Sequence, residues 1–128
     1  MSESYVLDAS ALLCLLQEEK GTGRVARALP AAEIGAVNYC EVVGKLVDAG
    51  MEGETADRLI DTLHLSVIPF DRTQARLGGS HRAMTRKFGL SLGDRACLAL
   101  AQAQGATALT CERGWTRFQA PCRVETVR

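Results

Sequence analysis

The chain has 128 residues, 47% of them apolar and only 5% aromatic, and fifteen Lys/Arg balance fifteen Asp/Glu. That length fits one domain, residues 1–128, burying about two thirds of its unfolded surface, and the apolar fraction speaks against a disordered chain. The zero net charge conceals a division: residues 1–64 carry eleven acids and five Lys/Arg, whereas residues 65–128 carry four acids and ten Lys/Arg. An acidic site beside a basic surface is the expectation. Five cysteines (Cys14, Cys40, Cys97, Cys111, Cys122) are odd in number, sit in apolar segments and contain no C-x-x-C pair. They read as reduced core thiols of a cytoplasmic protein. No secretory signal pattern and no apolar run of about 18 residues is present, so the chain is expected to have no membrane span.

Tyr5-Val6-Leu7 is a short apolar run that ends on Asp8 and passes directly into a helical pattern. A buried strand would deliver Asp8 to its carboxyl end, where open α/β sheets place ligands, although Asp before a helix also serves as an N-cap. Leu12, Leu13, Leu15 and Leu16 mark the helix's buried face. Gly21-Thr22-Gly23-Arg24-Val25-Ala26 matches the dinucleotide pattern G-x-G-x-x-A, but it follows a helix instead of a strand and reads as a turn. A short helix ends at Pro30, and Ile34-Gly35-Ala36-Val37 is the second expected strand. Asn38 is placed as N-cap of the next helix, which makes Glu41 its N3 residue, and Gly50 stops it.

A helix from Glu54 to about Leu65 leads into the third strand, Ser66–Phe70, after which Asp71 caps a basic segment. Arg72/Arg76 and Arg82/Arg86 are each four apart and share a helix face, with Lys87 and His81 nearby. Like charges so placed suit an anionic partner such as phosphate, making Arg82, Arg86 and Lys87 candidate phosphate contacts. Asp94 opens a helix, Ala96–Ala101, that is apolar almost all round and belongs in the interior. A carboxylate there needs a compensating partner, and a metal ion would supply one. Thr107-Ala108-Leu109-Thr110 is the fourth strand, Glu112 lies just past it, and Val124–Val127 is a possible edge strand.

Strands alternating with helices indicate an α/β fold: three layers, α/β/α, around a mostly parallel sheet of four to five strands. Asp8, Glu41, Asp94 and Glu112 can then converge at the carboxyl edge of that sheet, where their mutual repulsion calls for a hard, oxygen-seeking cation such as Mg²⁺. Zn²⁺ is disfavoured because no His or Cys has zinc-like spacing.

Val6-Leu7-Asp8-Ala9-Ser10, Asn38-Tyr39-Cys40-Glu41, Leu90-Ser91-Leu92-Gly93-Asp94-Arg95-Ala96 and Leu109-Thr110-Cys111-Glu112-Arg113-Gly114-Trp115 stand in that order along the chain. Together they resemble the PIN-domain family, and more narrowly the VapC-type toxins of bacterial toxin-antitoxin pairs. The resemblance implies Mg²⁺ or Mn²⁺ held by Asp8, Glu41 and Asp94, with Ser10, Asn38 and Thr110 as supporting polar residues. It further implies hydrolysis of RNA phosphodiesters to 5′-phosphate and 3′-hydroxyl ends, a homodimer, and a cognate antitoxin. Glu112 departs from the family pattern, which most often has Asp there, and its longer side chain suits a water-mediated contact. Two other classes compete: a non-catalytic PIN-like module binding RNA or protein, and a phosphoaspartyl receiver or phosphatase. The second would want an Asp at Ser10 or a Lys after a late strand, and has neither.

Overall fold

A computed structural model describes residues 3–128. Its β1 (Tyr5–Leu7), β2 (Ala32–Gly35), β3 (Ser66–Ile68), β4 (Thr107–Thr110) and β5 (Arg123–Thr126) are all parallel, in the order β3-β2-β1-β4-β5. Parallel neighbours require crossover connections, and helices supply them: α1 (Ala9–Leu16), α2 (Thr22–Ala28), α3 (Ala36–Asp48), α4 (Gly53–Asp61), α5 (Arg72–Ser80), α6 (Arg82–Thr85) and α7 (Leu92–Gln104). Side chains alternate across each strand, so the sheet splits the core in two. Tyr5, Leu7, Ala32, Ile34 and Leu109 face one layer with Leu12 of α1, Val25 of α2, Val42 and Leu46 of α3 and Ile60 of α4. Val6 and Ala108 face the other, packed on Cys97, Leu98, Leu100 and Ala101 of α7 and on Trp115. The three-layer α/β/α arrangement expected from the sequence is therefore present.

From Ala96 to Ala101 α7 is buried on every side, packing on β1, β2 and β4 and touching α3 and α5, whereas Leu92 and Gln102 towards its ends are exposed. Among the described residues, no helix is long and apolar enough to cross a membrane. Of the expected turn, Gly21 alone lies outside the helix, capping α2 at φ +104°, while Thr22 and Gly23 are already its first helical residues. A Cβ on Gly21 would lie 2.8 Å from the Val127 carbonyl oxygen, so glycine is needed where the chain's end crosses α2. One turn on, Arg24 donates to both Glu125 carboxylate oxygens (2.5 and 3.0 Å) and lies 5.0 Å over the Tyr5 ring, tying β5 to α2.

Several boundaries differ from the sequence reading. The second strand is Ala32–Gly35, earlier than Ile34–Val37, so Gly35 and not Asn38 is the N-cap of α3. Val37 looked like strand because it is β-branched and follows an apolar run; tertiary packing overrides that local preference. The helix expected to reach Leu65 stops at Asp61, and the third strand ends at Ile68. Asp71 caps α5 as expected, its carboxylate accepting from the Gln74 amide at 2.8 Å. The basic segment is broken into α5, α6 and a 3₁₀ turn at Arg86–Phe88. His81, at the break, is buried and its Nε2 bonds Gln102 Oε1 at 2.8 Å. All five cysteines are free, but only Cys14 and Cys97 are buried; Cys40 is exposed on α3.

Candidate active site

β1 is flanked by β2 and β4, and the chain order reverses between β1 and β4. Crevices of open parallel sheets form outside the carboxyl ends of strands at such a reversal. Asp8 follows β1 there and Glu112 follows β4. A cleft of about 190 Å³ opens at this point, lined by Asp8, Ala9, Ser10, Leu13, Asn38, Glu41, Lys45, Asp94 and Glu112. The four acids singled out from the sequence thus share one cleft.

Asp8 is 3% exposed and held from three sides. Its Oδ1 accepts from Ser10 Oγ at 2.7 Å and from the Ala11 amide at 2.9 Å, and its Oδ2 accepts from Thr110 Oγ1 at 2.6 Å. It is therefore both the N-cap of α1 and a cleft carboxylate. Ser10 and Thr110 also receive the amides of Cys111 and Glu112, each at 2.9 Å, which fixes the loop after β4 against the start of α1. Burial raises the Asp8 carboxyl from 3.8 to about 6; the three hydrogen bonds oppose this and nearby Asp94 adds to it.

Asn38 is 2% exposed and joins α3 to α7: its Nδ2 donates to Glu41 Oε1 at 2.8 Å and to the Gly93 carbonyl at 3.0 Å. Its side-chain oxygen is buried without a partner. Glu41 is the sixth residue of α3, not N3, so its carboxylate does not reach back to its own helix start. It lies instead over the first turn of α7, where a Cβ on Gly93 would fall 2.4–2.6 Å from the Glu41 carboxyl atoms. A helix start favours a negative charge, and Gly93 is the residue small enough to admit it.

Asp94 needs no metal to satisfy it. It is part of a capping box: Ser91 Oγ accepts from the Asp94 amide at 3.1 Å, and Asp94 Oδ2 accepts from the Ser91 amide at 2.9 Å. It is also only partly buried. Among the described residues, no three His, Cys, Asp or Glu side chains are gathered closely enough to hold an ion together. The donor chemistry nonetheless fits a hard cation, since the cleft offers carboxylate oxygens from four segments and no sulfur or imidazole. Glu112 is exposed, and among the described residues it forms no ion pair; Arg113 donates through Nε to the Arg128 carbonyl instead. Arg82, Arg86 and Lys87 are exposed and do not line the cleft.

Two contributors escaped the sequence reading. Gly93 carried a signal, a poor helix former in the first turn of an otherwise strong helix, which marks close approach of another group. Lys45, four residues after Glu41, shares its helix face by spacing alone.

The PIN domain family model matches residues 5–121. No curated protein gives a match. Among solved structures, DNA-bound VapBC from Salmonella typhimurium is similar with a TM-score of 0.76 and 16% identity, covering 99% of this chain and 100% of that one. VapBC2 from Rickettsia felis, bound to a promoter DNA fragment, has a TM-score of 0.75 at 16% identity, covering 95% of this chain and 97% of that one. VapBC-5 from Mycobacterium tuberculosis, of a toxin-antitoxin family, has a TM-score of 0.60 at 17% identity, covering 99% of each chain. With a matching model that runs from β1 to the residues just before β5, over a cleft built from all four expected acids, the chain belongs to the PIN domain family.

Proposed function

We propose that the chain is a single-domain, Mg²⁺- or Mn²⁺-dependent endoribonuclease, the VapC-type toxin of a toxin-antitoxin pair. The observation that carries this reading is the convergence of Asp8, Glu41, Asp94 and Glu112 on one cleft at the sheet's topological switch point. PIN domains generally act as nucleases with divalent metal ions, and the solved structures with this fold include toxin-antitoxin complexes.

Asp8, Glu41 and Asp94 would hold the ion, with Glu112 contributing from the cleft's edge. When bound, such an ion lowers the pKa of its water and stabilises charge building on the phosphate. The chain's own residues prepare the site. Ser10 and Thr110 keep the Asp8 carboxylate fixed, and Asn38 orients Glu41 against the start of α7. Arg82, Arg86 and Lys87 are exposed cations available to RNA phosphates away from the cleft. Products with 5′-phosphate and 3′-hydroxyl ends, a homodimer, a cytoplasmic location and a cognate antitoxin complete the reading.

The test is incubation of the purified chain with total RNA, with and without Mg²⁺ or Mn²⁺, and mapping of the cut ends. Metal-dependent internal cuts are expected, along with growth arrest on expression that the protein encoded alongside relieves. A second reading, a PIN-like module that binds RNA or protein without cutting, is favoured by one observation: one oxygen of the Asp94 carboxylate, Oδ2, is already engaged in a capping box. RNA binding without cutting in either metal would select it.

A further inference from the structure

Lys45 is the one basic side chain among the residues lining the acidic cleft. It stands on α3, one turn beyond Glu41, and helical side chains lean toward the helix N-terminus, which directs Lys45 back over Glu41 and the cleft mouth. Four carboxylates line the same cleft, yet among the described residues Lys45 forms no ion pair within 4.0 Å. Three of the four have other partners: Glu41 takes Asn38, Asp94 takes the Ser91 amide, and Asp8 takes Ser10, Thr110 and the Ala11 amide. An exposed ammonium at the rim of an acidic cleft, unengaged by the acids around it, is available to an anion that the acids themselves would repel.

We propose that Lys45 binds a non-bridging phosphate oxygen of the RNA strand at the mouth of the cleft, guiding the backbone into a site whose own charge opposes it. The inference rests on the nuclease reading of the cleft. An ammonium is a compact charge that donates to one phosphate without demanding a planar, two-pronged approach, so arginine keeps most of the effect and methionine removes it. The contact acts on substrate binding and leaves the ion's own affinity alone.

The test compares wild type, Lys45→Met and Lys45→Arg in two assays. Binding of a labelled single-stranded RNA is followed by fluorescence anisotropy across a salt series in Mg²⁺, on an Asp94→Asn background so that no strand is cut. Cleavage is followed in the otherwise native chain across an Mg²⁺ series. Lys45→Met is expected to weaken RNA binding and raise KM about tenfold, as for loss of one charged hydrogen bond. The salt slope should fall by about 0.7, the single-strand value for one phosphate contact. The Mg²⁺ half-saturation should not move, and Lys45→Arg should recover the slope. An unchanged slope overturns the proposal, and a shifted Mg²⁺ requirement with an unchanged slope makes Lys45 a charge balance for the acids instead. Absence of cleavage by wild type would sink the nuclease reading, while the binding series would still decide the phosphate contact.

Discussion

The two edges of the central sheet differ in the opposite sense from their size. At the amino edge, Glu3, Ser4, Gln102, Thr107, Cys122 and Arg123 surround a cavity of about 370 Å³; at the carboxyl edge the acidic cleft is about 190 Å³. The larger cavity brings together one acid and one arginine, Glu3 and Arg123, which already approach each other to 3.9 Å. The smaller one gathers four acids from four separate segments, backed by Ser10 and Thr110 on Asp8 and by the buried Asn38 on Glu41. Chemistry, not volume, marks out the candidate site: a parallel sheet points its strand ends and the starts of its following helices at one edge, and polar side chains collect there.

The strongest way to break this comparison is to remove single carboxylates. Asp8→Asn, Glu41→Gln and Asp94→Asn should each lower RNA cleavage by roughly 100-fold or more, the scale for losing a group that stabilises transition-state charge. Circular dichroism should find each variant folded. Full activity in any of the three would remove that residue from the set.

Gly93→Ala sharpens it further. Alanine is favoured over glycine in a helix by about 1 kcal/mol. Its Cβ, however, would lie 2.4 Å from Glu41 Oε1, and that flexible carboxylate must move. The melting temperature should hold or rise while cleavage falls by about 10- to 100-fold, the range for disturbing a supporting contact. A variant of full activity would mean that Glu41's seat on α7 is irrelevant.

Glu112 is expected to matter less than Asp94. Glu112→Gln should cost about tenfold, the lower end of the range for outer-sphere partners, and Glu112→Asp should retain activity. Rates measured against Mg²⁺ concentration check both; coincident curves for wild type and Glu112→Gln would leave three working acids. The smallest effect belongs to the other edge, where Arg123→Ala should leave cleavage within about twofold, as expected of a surface change. A larger loss there would end the contrast between the edges.

How much of this could be read in the sequence differs between residues for physical reasons. Asp8 was legible because a buried strand and a helix start meet at one residue, and both of its readings hold: it caps α1 and lines the cleft. Asp94 is legible as a cleft acid, and its pairing with Ser91 has a sequence signal too, since S-x-x-D before an apolar helix is itself a capping pattern. Asn38 reads from the sequence both as a helix cap and, through the resemblance, as a support of the site; the cap is Gly35 instead. Local propensity suggested a cap, whereas its two bonds, to Glu41 and to the Gly93 carbonyl 55 residues away, depend on how α3 crosses α7. The G-x-G-x-x-A stretch was rightly set aside by its context, yet the contact that requires Gly21, with Val127, is equally long-range.

The most direct test of the central claim, that these acids form a cation site, is calorimetric titration of the metal-free chain with Mg²⁺ near pH 6 in buffers of different ionisation heat. Asp8 titrates near 6 when no ion is bound, above the 3.8 of an exposed carboxyl. Below about pH 4 the native and unfolded chains both hold its proton. Between about 4 and 6 the native chain binds more protons than the unfolded one, so stability falls as pH rises, by up to about 3 kcal/mol from this group. A cation bound by Asp8 reverses that loss and expels its proton. The account predicts Mg²⁺ binding with net proton release at pH 6, absent in Asp8→Asn and weakened in Asp94→Asn. Failure to bind Mg²⁺ or Mn²⁺, or binding identical in wild type and both variants, would contradict it.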